Sequence, residues 1–242
     1  MTLPAAFFTL HRDLPREGPG APDDVGFAAM LAGLPESAVI ADAGCGPGGD
    51  IAALLAAAPD ARVVALDLHQ PFVDQARARF AGQPNVAFRC TDMADLASET
   101  AAPFDMIWCA GALYFLGLTK GLAAFRAALK PDGILAFSEP CHFTDNPSKA
   151  AHDFWDGYAT RLKADILSET RAAGYEILGH RPVSDAGWEG YFRPLQARIA
   201  QLGPDANADL AAILDLAADE ASNWRDVKAE TGYLVVVARK TT

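Results

Sequence analysis

Residues Val39-Ile40-Ala41-Asp42-Ala43-Gly44-Cys45-Gly46-Pro47-Gly48-Gly49-Asp50-Ile51 join a β-branched strand to an amphipathic helix through a glycine-rich turn. Glycine there permits φ > 0 and lets the backbone approach a bound group closely. In an open α/β sheet, ligands bind at the carboxyl ends of the strands, where this turn would lie. Asp42 stands two places before the first glycine, and Asp67 closes the next apolar run. The layout asks for a ligand with a nucleoside and a charged tail.

Apolar runs and helical patterns alternate around this turn. The strands expected are Val39–Ala43, Val63–Leu68, Val86–Cys90, Met106–Ala110 and Ile134–Ser138. Helices are expected over Pro47–Ala57, from Pro71 to Gly82, in a short stretch from Met93, and from a Thr119 cap to a stop at Pro131. Such alternation gives a parallel sheet with helices on both faces. The last third differs: a helix near Ala164–Ala173, strand six at Tyr175–Val183, helices at Trp188–Leu202 and Ala206–Lys228, and strand seven at Tyr233–Arg239. Residues 1–36 form an N-terminal cap segment, with a Pro/Gly-rich loop at Asp13–Asp24 and a helix near Val25–Leu34. Residues 37–242 form the main domain, with a helical insertion at about 187–230.

The net charge of −11, with 20 Lys+Arg against 31 Asp+Glu, disfavours nucleic acid and anionic membrane surfaces as partners. The longest uncharged run, Met106–Thr119, has 14 residues, whereas a bilayer span needs about 20. No basic residue precedes the apolar patch at Leu3–Leu10, which argues against a signal peptide. Four cysteines without a CxxC pair read as free buried thiols in a reducing, cytoplasmic setting.

Gly44–Gly49 fits G-x-G-x-x-G, the nicotinamide and flavin fingerprint. Asp42–Gly48 also fits D-x-G-x-G-x-G, the first motif of the class I S-adenosylmethionine-dependent methyltransferases. Asp42 can act near the ammonium of a methionine tail and would repel a pyrophosphate. Asp67 suits both ribose hydroxyls in either family. Asp92 can accept from the adenine amine while the Met93 N–H donates to the ring, or Asp92 can cap a helix. The chain therefore resembles the class I methyltransferases over about Ser37–Lys240, with Phe104–Cys109 like their fourth strand and Leu129–Leu135 like the turn into the fifth. It is similar to a bacterial subgroup related to the ubiquinone/menaquinone-biosynthesis methyltransferases, in which a segment like Phe8–Gly20 precedes the core. That subgroup often has an acid where this chain has Ala110. The resemblance implies a Rossmann-like, doubly wound sheet of seven strands in order 3-2-1-4-5-7-6, the last antiparallel. The expected cofactor set is Arg16, Asp42, Gly44, Cys45, Gly46, Asp67, Leu68, Asp92, Met93 and Cys109, with Arg16 on the methionine carboxylate if the N-terminal segment folds over the pocket and solvated if that segment is a tail.

Methyl transfer from a sulfonium is an in-line displacement, in which alignment and desolvation supply much of the catalysis. A base is needed only where the acceptor must lose a proton. Tyr114 after strand four, and Glu139 and His142 after strand five, are the catalytic candidates. Trp155 and Tyr158, expected on a following helix, line an acceptor pocket or pack. His11 and Glu17 lie with Arg16 in the N-terminal segment. No metal is expected: Asp145-Asn146 lacks an acid just after strand four, and Cys141-His142 lacks further ligands. The expected activity is methyl transfer from S-adenosylmethionine, yielding S-adenosylhomocysteine, to a small molecule. The rivals are an NAD(P)-dependent oxidoreductase and a non-catalytic S-adenosylmethionine-binding regulatory module. The helices between strands six and seven would cover the pocket or form a homodimer.

Overall fold

A computed structural model describes residues 4–241. In chain order the elements are α1 (Ala5–His11), α2 (Pro22–Ala32), β1 (Val39–Ala43), α3 (Ile51–Ala57), β2 (Arg62–Asp67), α4 (Gln70–Arg79), β3 (Val86–Cys90) and β4 (Phe104–Cys109). They continue with α5 (Leu118–Ala128), β5 (Leu129–His142), α6 (Lys149–Asp153), β6 (Arg161–Leu162), α7 (Lys163–Ala172), β7 (Tyr175–Pro182), α8 (Asp185–Leu202), α9 (Ala208–Val227) and β8 (Thr231–Lys240). The sheet order is β3-β2-β1-β4-β5-β8-β7, with β8 antiparallel to both neighbours. This is the expected order plus one strand: the two-residue β6, which pairs with the end of β5.

Strand alternation sends odd and even residues of the central strands to opposite faces. On one face Ile40, Met106, Trp108, Ala136, Val235 and Val237 pack under residues of α1, α2, α3, α8 and α9. On the other, Ala41, Ile107, Leu135, Phe137, Leu234 and Val236 pack against α5 and α7. Full burial on both faces explains the continuous apolar runs of β4 and β8.

Four local expectations are corrected. The first helix after the glycine turn starts at Ile51, not Pro47, because Gly48 adopts φ +84°, outside the helical region. The α5 cap is Gly117, and Thr119 lies inside the helix, donating to Glu169 at 3.1 Å. β5 does not end at Ser138; it pairs with β8 from Ile134 through His142, so Glu139 and His142 lie within the strand. Pro140 is tolerated there because β4 ends at Cys109, opposite Phe137, leaving no β4 ladder bond for its missing N–H to break. Trp155 and Tyr158 are not helical: Asp156 and Gly157, at φ +44° and +79°, turn the chain after α6. Among the cysteines, Cys45, Cys109 and Cys141 are buried, but Cys90, at the end of edge strand β3, is exposed.

Candidate active site

The glycine turn hangs from β2: the Gly44 and Cys45 N–H groups both donate to the Leu66 carbonyl at 2.9 Å. Gly44, Gly46 and Gly48 all have positive φ. A Cβ on Gly44 would lie 2.4 Å from the Ala112 Cβ, so the loop after β4 presses directly on the turn.

Three carboxylates converge here. Asp42, at the end of β1, is 3% exposed, and its Oδ2 has no hydrogen-bond partner. Burial, reinforced by Asp50 and Asp67, pushes its carboxyl well above the ordinary range, and Arg16 only partly counters this. Asp67 accepts from the Gly46 N–H at 3.0 Å and the His69 N–H at 2.8 Å. Asp50 accepts from Trp108 Nε1 at 3.0 Å and faces the Arg16 guanidinium at 3.3 Å. Arg16 therefore balances Asp50, and its Nε donates to the Gly18 carbonyl at 2.5 Å.

The segment from Asp13 to Gly20 is a strap over the turn. The Arg79 guanidinium donates to the Leu14 and Pro15 carbonyls, and Gln75 accepts from the Asp13 N–H. A Cβ on Gly46 would stand 3.2 Å from Glu17 Cγ, and one on Gly49 2.9 Å from Arg16 Cβ. Glu17 in turn meets His11 Nδ1 at 2.6 Å. After β3, Asp92 Oδ1 caps the 3₁₀ turn Met93–Ser98 by accepting from the Ala94 N–H at 2.8 Å. Met93 is buried and Leu68 exposed. Cys45 and Cys109 are buried, their thiols held well above the ordinary range by desolvation.

On the far side of β4, Ser138 Oγ accepts from the Gly111 N–H at 2.7 Å and pins the loop that carries Tyr114. The Tyr114 ring is 5.7 Å from Tyr158 and 6.4 Å from Tyr233. Burial pushes the Tyr114 hydroxyl up to about 12, with Tyr233 countering. Glu139 is wholly buried; its Oε1 accepts from the Tyr158 hydroxyl at 2.5 Å. Desolvation raises its carboxyl to about 7, tempered by Tyr158 and then Arg161. Tyr114, Tyr158 and Glu139 are thus brought together. His142 is not part of this set: three residues on, it faces the other side of β5, and its ring meets His152 of α6 at 4.6 Å. Sequence reasoning passed over Asp50, which accepts from Trp108 and faces Arg16, and Tyr233, whose ring lies 6.4 Å from that of Tyr114. Among the described residues, no group of three His, Cys, Asp or Glu side chains is arranged to hold a metal.

Residues 40–133 match a family described as a methyltransferase domain. Over 61% of its length the chain is 32% identical to a trans-aconitate 2-methyltransferase of Methylobacterium nodulans, covering 57% of that protein. It is 34% identical to the trans-aconitate 2-methyltransferase of Streptomyces avermitilis over 67% of this chain and 65% of that one. The chain thus spans under two thirds of the length of these curated relatives. An S-adenosyl-L-homocysteine complex of a methyltransferase from Thiobacillus denitrificans superimposes with a TM-score of 0.82 at 19% identity, over 98% of this chain and 99% of that one. Residues 40–133 are thus similar to a methyltransferase domain, and the chain shares the fold of the Thiobacillus denitrificans methyltransferase.

Proposed function

We propose that the protein is a methyltransferase that moves a methyl group from S-adenosylmethionine to a small molecule, releasing S-adenosylhomocysteine, without a metal. The observation that carries this reading is Asp42, a buried carboxyl with an unpartnered oxygen, flanked by Asp50 and Asp67 and countered only in part by Arg16. That corner suits a ligand bearing positive charge, such as a sulfonium with an α-ammonium group. A dinucleotide pyrophosphate would bring negative charge against three carboxylates, which weighs against the nicotinamide reading.

In this assignment Asp67 takes the ribose hydroxyls, and the Gly44, Cys45 and Gly46 backbone lies along the donor. Leu68, Asp92 and Met93 border the adenine, and Cys109 closes the end of β4. Asp92 has one oxygen engaged as a helix cap and a second with which to accept from the adenine amine. Arg16 serves by holding Asp50 as well as, or in place of, binding the methionine carboxylate. When bound, the donor supplies an activated methyl group. The protein's part is to align it, exclude water and orient the acceptor beside Tyr114 and Glu139. His142 is assigned to packing against α6.

The N-terminal segment, taken as residues 1–36, and the insertion at about 187–230 are read as covers of the site: α1 packs on both α8 and α9, and the Arg198 guanidinium donates to the Thr9 carbonyl at 3.2 Å. A cytoplasmic protein without nucleic-acid partners fits the acidic charge balance. A homodimer would use the outer faces of α8 and α9, and sedimentation checks it. Among the described residues, no helix is long and apolar enough to cross a membrane.

Calorimetric titration separates the rivals. S-adenosylmethionine should bind and NAD(P) should not; micromolar NAD(P) affinity without S-adenosylmethionine binding would refute the reading. Transfer of labelled methyl groups to small molecules of a cell extract, abolished by Asp67→Ala, separates an enzyme from a non-catalytic binding module.

A further inference from the structure

Past its last β4 pair at Phe137, β5 has no partner on that edge until β6 joins it at Cys141. Glu139 sits in this gap. Its carboxyl is wholly buried, Oε1 is engaged by Tyr158, and Oε2 has no hydrogen-bond partner. A carboxylate oxygen accepts, so the partner that suits it is a donor. Arg161 is committed elsewhere: its Nε donates to Glu169 at 2.7 Å, and its Nη1 stays 3.9 Å from the occupied Oε1.

Glu17 Oε1, over Gly46 of the glycine turn, is likewise buried without a partner. Glu220 of α9 makes no hydrogen bond or ion pair with the described residues, and its charge is felt by Tyr114, Tyr191 and Tyr233. The phenols of Tyr114, Tyr158 and Tyr233 add aromatic faces. Arg16 and Arg161 are both paired. A polycarboxylate acceptor, such as the one named for the trans-aconitate 2-methyltransferases, would meet the Glu139 carboxylate here, beside an Arg161 already paired with Glu169.

We propose that the methyl acceptor is a small amine on an apolar or aromatic body, with its N–H received by Glu139 Oε2 beside the rings of Tyr114 and Tyr158. The inference rests on the methyl-transfer reading above. The ammonium form of the acceptor loses one proton to the Glu139 carboxylate. The freed lone pair forms the N–CH₃ bond as the S–CH₃ bond breaks, and that bond's electron pair stays on sulfur. The sulfonium becomes a neutral thioether, and the nitrogen leaves as the protonated N-methylamine. Aromatic faces beside the site favour a cationic nitrogen. A base that burial holds at about 7 is matched to proton transfer at neutral pH. Tyr158 is a positioning residue: its hydroxyl fixes Oε1 and leaves Oε2 to the acceptor.

The test uses the full chain. Binding of S-adenosylmethionine is measured first by calorimetry. Release of S-adenosylhomocysteine is then followed with phenethylamine, N-methylphenethylamine and hexylamine, against phenylacetate, hexanoate and trans-aconitate. Turnover is expected with at least one amine and with none of the acids. With that amine, Glu139→Gln should lower kcat by about 100-fold or more while leaving cofactor affinity within about two-fold. Tyr158→Phe, which removes a hydrogen bond favouring the carboxylate, should move the acidic limb of the rate–pH profile upward. Cofactor binding with turnover of an acid, or of none of the amines, overturns the acceptor class and leaves the donor reading standing. An unchanged rate in a folded Glu139→Gln protein overturns the role of Glu139. Failure to bind S-adenosylmethionine overturns both readings.

Discussion

Gly44→Ala should be among the most damaging single-methyl additions in this chain, and its cost can be worked from two features. Gly44 adopts φ +76°, where an L side chain costs about 1–2 kcal/mol. The added Cβ would also lie 2.4 Å from the Ala112 Cβ, whereas carbon atoms at contact prefer about 3.5–4.0 Å. Alanine has no side-chain torsion with which to swing aside, and the Gly111 N–H beside it is pinned to Ser138 Oγ at 2.7 Å. The clash must therefore move backbone, at about 1–3 kcal/mol. Together the loss is about 2–5 kcal/mol, or roughly 4–20 °C in the thermal midpoint for a chain of this size. Ala112→Gly in the same chain removes the clash and leaves the φ cost, so about 1–3 kcal/mol should return in the double variant. Urea unfolding followed by tryptophan fluorescence and far-UV circular dichroism measures both quantities. A single variant within about 0.5 kcal/mol of the parent, or a double variant with no recovery, refutes the argued contact.

Two further outcomes test the electrostatics of the site. Arg16→Ala removes the guanidinium from a pair whose side chains are 13% and 9% exposed, leaving Asp50 without its counter-charge, and should cost about 3 kcal/mol in urea unfolding; a loss under about 0.5 kcal/mol would show that the strap does not hold the turn. Glu139 carries a carboxyl raised from 4.5 to about 7 in the folded protein, so the native state binds that proton more tightly than the unfolded chain; its contribution is intact below about pH 4.5 and is lost as pH rises through 7. Glu139→Gln removes that loss, and its stability relative to the parent should therefore climb by about 3 kcal/mol between pH 4.5 and pH 8; parallel stability–pH curves for the two proteins would refute the burial argument.

The two halves of the site differ in how far they can be read from sequence, and the reason is physical. The donor half is built from consecutive backbone: a strand, three glycines that all take positive φ, and a helix, with carboxylates at strand ends. Conformational needs of that kind are written in residue type, so order, turn and carboxylates are legible together. The N-terminal strap is harder, because Arg16 and Asp50 lie 34 residues apart and no periodicity marks their pairing. The proposed acceptor half draws on side chains of β5, the turn after α6 and β8, and local signals there point the wrong way. The strand expected over Ile134–Ser138 runs on through Pro140, whose missing N–H falls where β4 has already ended. Asp156-Gly157 breaks a helix that Trp155 and Tyr158 were expected to share, and only that break lets Tyr158 reach Glu139. Glu220 reads as one more acid on an amphipathic helix until α9 is laid beside Tyr114 and Tyr233. On the proposed reading, motifs point to the donor, whereas the acceptor is inferred from what folding leaves unpaired. A fully buried carboxylate oxygen without a partner is costly for the protein alone and favourable with a donor beside it, and that is the observation on which the proposed acceptor rests.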